Sequence, residues 1–249
     1  MQVAVVTLFP EWVEQVVRFG MPRIAHERGA LALTPINPRD FADNRWRRVD
    51  RPSFGGGPGM VMEAQPMAAA IAEGRRCCPG PVVLLSPQGE RFNQAWAERL
   101  SREPGLTLVC GRYEGVDERV LATEVDMELS VGDVVLSGGE LGAMMVLDAC
   151  ARLLPGVLGD AASAVEDSFT DGVLDHPHYT RPEQWRDQAV PEVLMSGDHA
   201  AIRRWRRQQA LTQTWLKRPD LLQGLALSDE DEAWLRAFIA QQVVETKGE

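Results

Sequence analysis

The sequence predicts an α/β protein, with a parallel sheet covered by helices and a smaller, mostly helical region after it. Three observations carry this expectation. Apolar runs of strand length alternate with helix-period segments from the first residues to about residue 155. The clearest of these runs, Leu106-Thr107-Leu108-Val109-Cys110, is almost wholly apolar, as a strand buried on both faces must be. Glycine-bearing turns follow such runs, at the strand ends where open α/β sheets place ligands.

Taken in order, Gln2 to Leu8 reads as a buried strand, Glu11 to Arg18 as a helix with Trp12, Val13, Val16 and Val17 inward, and Ala30 to Ile36 as a second strand. This βαβ opening sets the parallel class. Phe9-Pro10-Glu11 stands where a Rossmann fold would carry its glycine turn, so a ligand site is expected elsewhere. Residues 38–51 are polar and arginine-dense, as a solvated loop is, and Phe54-Gly55-Gly56-Gly57-Pro58-Gly59-Met60 demands an unusual backbone path. Without a following Lys-Ser/Thr it is no P-loop. Gln65 to Arg76 reads as a helix, Val82 to Leu85 as a strand, Ser86-Pro87-Gln88-Gly89 as a strand-end turn and Asn93 to Ser101 as a helix.

Leu106 to Cys110 then feeds Gly111-Arg112-Tyr113-Glu114-Gly115, and Val131 to Leu136 repeats the device ahead of Ser137-Gly138-Gly139. Paired glycines let backbone approach a flat ligand with no Cβ in the way. Glu140 opens a helix through Leu154, with Leu141, Met144, Met145, Asp148 and Arg152 spaced so that several share a face. Residues 1–159 are expected to form the first domain, 160–172 a small-residue, acidic linker, and 173–249 a helical domain. In that domain Asp198 or His199 precedes a helix to Lys217 that buries Ile202, Trp205 and Trp215 and turns its arginines out. Ser228 with Asp231 resembles a capping box for the last helix, which packs through Leu235, Phe238 and Ile239.

Composition bounds the partners. A formal charge of -10 argues mildly against nucleic acid, but Arg45, Arg47, Arg48 and Arg51 cluster, as do Arg203, Arg204, Arg206 and Arg207. Cys77, Cys78, Cys110 and Cys150 show no Cys-x-x-Cys pairing and read as reduced and structural. His176-Pro177-His178 lacks a third ligand at metal-site spacing, so no metal is read there. With no basic leader and no apolar run long enough to span a bilayer, the expected location is cytoplasmic.

One glycine loop is common in α/β proteins; two with this wording are not. Gly-Arg-Tyr-Glu-Gly-Val-Asp-Glu-Arg at 111–119 and Val-Gly-Asp-Val-Val-Leu-Ser-Gly-Gly-Glu at 131–140 resemble the TrmD family of bacterial tRNA (guanine-N1)-methyltransferases. The resemblance extends over nearly the whole chain. It implies a SPOUT-type fold whose first domain closes a deep trefoil knot around S-adenosylmethionine, although knots are rare. It implies methylation of N1 of guanine 37 of tRNAs in which guanine 36 precedes it, by a homodimer with a composite active site. Leu85, Ser86, Pro87, Gly111, Tyr113, Glu114, Val131, Gly132, Asp133, Val134, Val135, Leu136, Gly138 and Gly139 are then expected at the methyl donor. Val135 departs from the tyrosine common there, and His176 from a common cysteine.

The same resemblance gives roles to residues that spacing alone would leave bland. Asp167, in Glu166-Asp167-Ser168-Phe169, matches the family's general base, which must remove the N1 proton. Arg152 matches the cation near O6, where negative charge develops. Arg45, Asp50, Gly57, Gly59, Ser163, Arg203, Arg204 and Arg207 are expected to face the RNA. Trp205 among the arginines is read as core ahead of a base-stacking platform. Mg2+ is expected in turnover, with Glu114 near it and no closed protein site. Two alternatives remain: a SPOUT methyltransferase with another RNA target, and a non-catalytic RNA-binding relative.

Overall fold

The computed structural model describes residues 1–159 and 167–247. These fall into two compact units that divide between Ala161 and Ala162, inside the expected linker. Ser163 and Glu166 lie outside the described residues.

The first unit is built on β1 (Gln2–Val6), α1 (Pro10–Val13), α2 (Gly20–Glu27), β2 (Ala32–Ile36), β3 (Asp50–Pro52), β4 (Met60–Met62), α3 (Ala64–Cys77), β5 (Val82–Arg91), α4 (Gln94–Ser101), β6 (Gly105–Cys110), α5 (Glu118–Glu124), β7 (Met127–Ser130) and α6 (Glu140–Leu153). Five strands form one sheet in the order β2-β1-β6-β5-β7, every pair parallel, while β3 and β4 make a small antiparallel ribbon. Alternation along each strand divides the core in two. Val3, Val5, Leu106 and Leu108 pack on one face with Val146 and Leu147 of α6. Ala4, Val6, Val82 and Leu84 pack on the other with Met67 and Ile71 of α3. Every residue of β6 is buried, as a strand between two others and two helical layers requires.

Three expectations change. The helix read over Glu11 to Arg18 is α1 followed by a 3-10 turn, Glu14–Arg18, in which the β-branched Val16 and Val17 sit half-buried. Its Trp12 faces outward, since only Val13 lies on the sheet side. The turn read at Ser86 to Gly89 belongs to a long β5: both Leu85 and Glu90 register with Leu129, so the residues between bulge away from β7. The strand read at 131–136 is displaced to β7, and 131–136 is an open loop beyond it.

The second unit holds β8 (Gln184–Trp185), β9 (Gln188–Ala189), α7 (Glu192–Met195), α8 (His199–Lys217) and α9 (Asp229–Lys247). Residues 167–172 are folded into it: Phe169 N donates to Val173 O at 2.7 Å, and buried Val173 packs with Ala210 and Leu211. Asp198 caps α8 by accepting from the amides of Ala200 and Ala201, each at 3.0 Å, and Ser228 Oγ accepts from Asp231 N at 3.1 Å. Trp215 packs edge-on against Phe238, with ring centroids 5.7 Å apart. Among the described residues no helix is long and apolar enough to cross a membrane.

Candidate active site

The bulge of β5 and the carboxyl ends of β6 and β7 open into one cavity of about 360 Å³. It collects, from four segments of chain, Leu85, Ser86 and Pro87, then Gly111, Tyr113 and Glu114, then Val131, Gly132, Val134, Val135 and Leu136, and last Gly138 and Gly139. These are the residues expected at the donor, apart from Asp133. That side chain points out, 89% exposed, and its carboxylate accepts from Arg91 at 2.8 Å. The bulge in β5 brings Ser86 and Pro87 to the rim; with continuous pairing to β7 they would lie in the ladder.

Glycine serves two purposes around the cavity. At Gly111 and Gly132 a Cβ would meet nothing nearer than 3.8 and 3.9 Å, so the bare backbone leaves space for a ligand. At Gly139 a Cβ would stand 2.8 Å from Cys110 Cα, so the bare backbone lets two segments touch. They do touch: Gly139 N donates to Gly111 O at 3.0 Å, and Gly138 bridges Arg112.

The side chains that fix this junction escape notice in the sequence. Glu140, fully buried at the first turn of α6, accepts from Arg112 Nε at 2.9 Å with one oxygen and from Thr7 Oγ1 at 2.9 Å with the other. Arg112 also donates to Ser137 O at 3.1 Å and stacks on Phe9, its Cζ 4.4 Å from the ring centroid. Outward-facing Trp12 completes this cover, 5.7 Å from the same guanidinium. Burial and the Glu140 charge hold the adjacent Cys110 thiol far above its usual pKa, so it is a packing group. The only local signal is the position of Arg112 and Glu140 inside the two glycine motifs.

The glycine-rich loop reaches the same rim. Gly55, Gly56, Gly57 and Gly59 all take positive φ, and a Cβ on Gly59 would overlap the Glu114 carboxylate. Glu114 N donates to Met60 O at 2.9 Å and Met62 N to Gly115 O at 2.9 Å, so β4 runs alongside residues 114–117. Tyr113 sits at φ 61 on this edge, a conformation that costs a non-glycine residue energy and turns its side chain outward. Asp117 caps α5, and hydrogen bonding to Arg119 holds its carboxyl down at about 2.

The expected catalytic and RNA-facing residues are distributed differently. Arg152 is exposed at the far end of α6, twelve residues or about 18 Å from Glu140. Asp167 lies half-buried in the second unit. Arg45, stacked on exposed Trp46 at 5.3 Å, belongs to an open arginine loop, whereas Asp50 is held in the β3–β4 ribbon opposite Met62. Arg203 and Arg204 are exposed on α8. Arg207, expected on the same face, is instead an internal clamp: it pairs with Asp231 at 2.9 Å and with Asp171. Trp205 is half-buried, near the rings of His176 and Tyr179.

Comparison with known proteins identifies the family. The family described as tRNA (Guanine-1)-methyltransferase TrmD matches residues 1–224. A tRNA (guanine-N(1)-)-methyltransferase of Halorhodospira halophila is 53% identical over 248 residues, covering 99% of this chain and 94% of the relative. Proteins of the same description from Aliivibrio salmonicida and Chromobacterium violaceum are each 51% identical, over 99% and 100% of this chain and the whole of each relative. The chain belongs to the tRNA (Guanine-1)-methyltransferase TrmD family.

Proposed function

We propose that this protein transfers a methyl group from S-adenosylmethionine to N1 of guanine 37 in tRNAs carrying guanine at 36, leaving S-adenosylhomocysteine. The observation that carries the reading is the cavity itself, in which both glycine motifs converge at the carboxyl ends of β6 and β7 beside the bulge of β5. Its size suits a cofactor-sized ligand. Its lining fits the donor: Leu85, Leu129, Val131 and Leu136 offer apolar cover for an adenine, Gly111 and Gly132 bare backbone, and Glu114 and Glu118 negative charge beside a sulfonium.

The donor supplies an electrophilic methyl group on a positively charged sulfur. The chain's own residues do the rest. Guanine N1 is no nucleophile while protonated, so Asp167 accepts its proton. The negative charge that spreads onto O6 is met by Arg152. Arg45, Gly57, Gly59, Arg203 and Arg204 hold the RNA, with the exposed arginines contacting phosphates. Glu114 and Glu118 offer the oxygen donors that a hard cation such as Mg2+ takes while keeping most of its water.

The remaining parts of this reading have physical support of their own. A deep trefoil knot fits a chain whose segment 131–139 returns to bond the exit of β6. A homodimer with a composite site fits α6: Leu141 and Met145 expose apolar surface on the stripe that carries Asp148 and Arg152. Arg152 then serves the cavity of the other copy, and Asp167 likewise. Acting on tRNA, the enzyme belongs in the cytoplasm. Calorimetry with S-adenosylmethionine tests the donor site: micromolar or tighter binding that Gly139→Ala abolishes supports it, and the absence of binding overturns it.

A further inference from the structure

The second unit contains a cluster to which the proposed methyl transfer assigns no role. Asp175, His176 and His178 place one carboxylate and two imidazoles with their ligand atoms all within 4.8 Å of one another. Contiguity hides this in the sequence: the third donor is the residue immediately before the first histidine.

We propose that these three residues form a binding site for one divalent transition-metal ion of the zinc class. The dimensions fit. Zinc bonds of about 2.1 Å in a tetrahedral site set ligand atoms about 3.4 Å apart. Here Asp175 Oδ2 stands 2.8 Å from His178 Nε2, and Asp175 Oδ1 stands 3.8 Å from His176 Nε2. Both imidazoles therefore aim the same nitrogen at one carboxylate, one oxygen each, with ring centroids 4.4 Å apart.

The hydrogen bonding of His176 fits the same reading. Its Nδ1 lies 3.1 Å from Pro177 O, and a carbonyl only accepts, so Nδ1 donates there and Nε2 is the nitrogen left to reach a metal. Nε2 stands 3.8 Å from Asp175 Oδ1, beyond hydrogen-bond reach and close to the spacing of two ligand atoms on one metal ion. A backbone carbonyl fixing the tautomer of a metal-binding imidazole is a recurrent supporting contact. His178 Nε2 lies at hydrogen-bond distance from Asp175, 2.8 Å, whereas His176 Nε2 stands 3.8 Å from the same carboxylate.

The segment is also held ready. Asp175 N donates to Ser168 Oγ at 2.9 Å, His176 N donates to Asp175 Oδ1 at 2.6 Å, and Leu174 N donates to buried Thr214 Oγ1 at 2.9 Å. His176 is 13% exposed and His178 70%, so the site opens to solvent on one side, where water completes the coordination. Two nitrogens and one oxygen select zinc, cobalt or nickel over magnesium or calcium.

The test titrates the full chain, stripped with EDTA, with Zn2+ and with Co2+. One equivalent is expected to bind and to raise the unfolding temperature, unaffected by millimolar Mg2+. His176→Ala and His178→Ala should each weaken binding about 100-fold and Asp175→Asn about 10-fold, while His26→Ala and His199→Ala change nothing. In the unmutated protein, where folding is not in question, the ring-proton signals of His176 and His178 should shift with the first equivalent of Zn2+. Absence of saturable binding, shifts at His26 or His199 instead, or full affinity in a folded His176→Ala variant would overturn the proposal.

Discussion

Arg112 and Glu140 form a buried ion pair, Nε to Oε2 2.9 Å, between residues 28 apart in the chain. Glu140 is fully buried and the Arg112 side chain only 15% exposed, so each is the other's main counter-charge. The pair joins the end of β6 to the start of α6, the two places where the cavity's glycine segments must meet.

Glu140→Gln keeps the shape and an acceptor for Thr7 but removes the counter-charge of the Arg112 guanidinium, which keeps only its bond to Ser137 O, its aromatic stack and its edge on the cavity. Breaking a buried pair from one side costs about 3–5 kcal/mol, and urea unfolding should show a loss of that order. Donor binding should weaken with it, because Gly138 and Gly139 lose their fixed position.

Gly139→Ala should leave the sheet intact and remove donor binding. Its Cβ would stand 2.8 Å from Cys110 Cα, and relieving that clash moves the segment that lines the cavity. Overpacking of this kind costs about 1–3 kcal/mol, visible as a lower unfolding midpoint beside the missing calorimetric signal.

The arginines of α8 should separate by role. Replacing Arg203 and Arg204 together with Gln should weaken tRNA binding and flatten its dependence on salt, by about 0.7–0.9 in slope for each phosphate that is no longer neutralised. Arg207→Gln should instead lower stability, since it breaks the pairs with Asp231 and Asp171. A filter-binding series over salt concentration, beside thermal melts, distinguishes the two.

Asp117 should make part of the stability pH-dependent. Its folded pKa, about 2, lies below the ordinary 3.8, chiefly through the Arg119 hydrogen bond. The contribution is therefore complete above pH 4 and lost as pH falls toward 2. Asp117→Ala should cost about 1 kcal/mol at neutral pH through removal of the cap, and the gap from the parent protein should close in acid.

How legible each part is in the sequence follows from what surrounds it in the fold. β6 is readable because its six residues, buried in both directions, are nearly all apolar. β7, Met-Glu-Leu-Ser, is not, because it lies at the sheet edge, its Met127 and Glu128 are only half-buried, and two of its four residues are polar. The cavity-lining residues are legible through the family motifs. Glu140 reads locally as a helix-opening acid, since nothing nearby shows that it is buried against a residue 28 positions earlier. Arg207 looks like its arginine neighbours because its partners, Asp171 and Asp231, come from distant segments. Asp175 is hidden as a ligand for the opposite reason, lying so close in sequence that no spacing rule applies.

Asp167→Ala should retain both donor and tRNA binding yet slow methyl transfer by about 10²–10⁴-fold, the range for a missing acid–base group. Single-turnover kinetics with bound tRNA isolates the step. Near-normal turnover would remove Asp167 from the role.

The most direct measurement uses labelled S-adenosylmethionine and two tRNA transcripts, one with guanine at 36 and 37 and one with adenine at 37. Label is expected in the first transcript alone, mapped to N1 of guanine 37. Label in neither, with donor binding intact, would contradict that assignment and point to a different RNA.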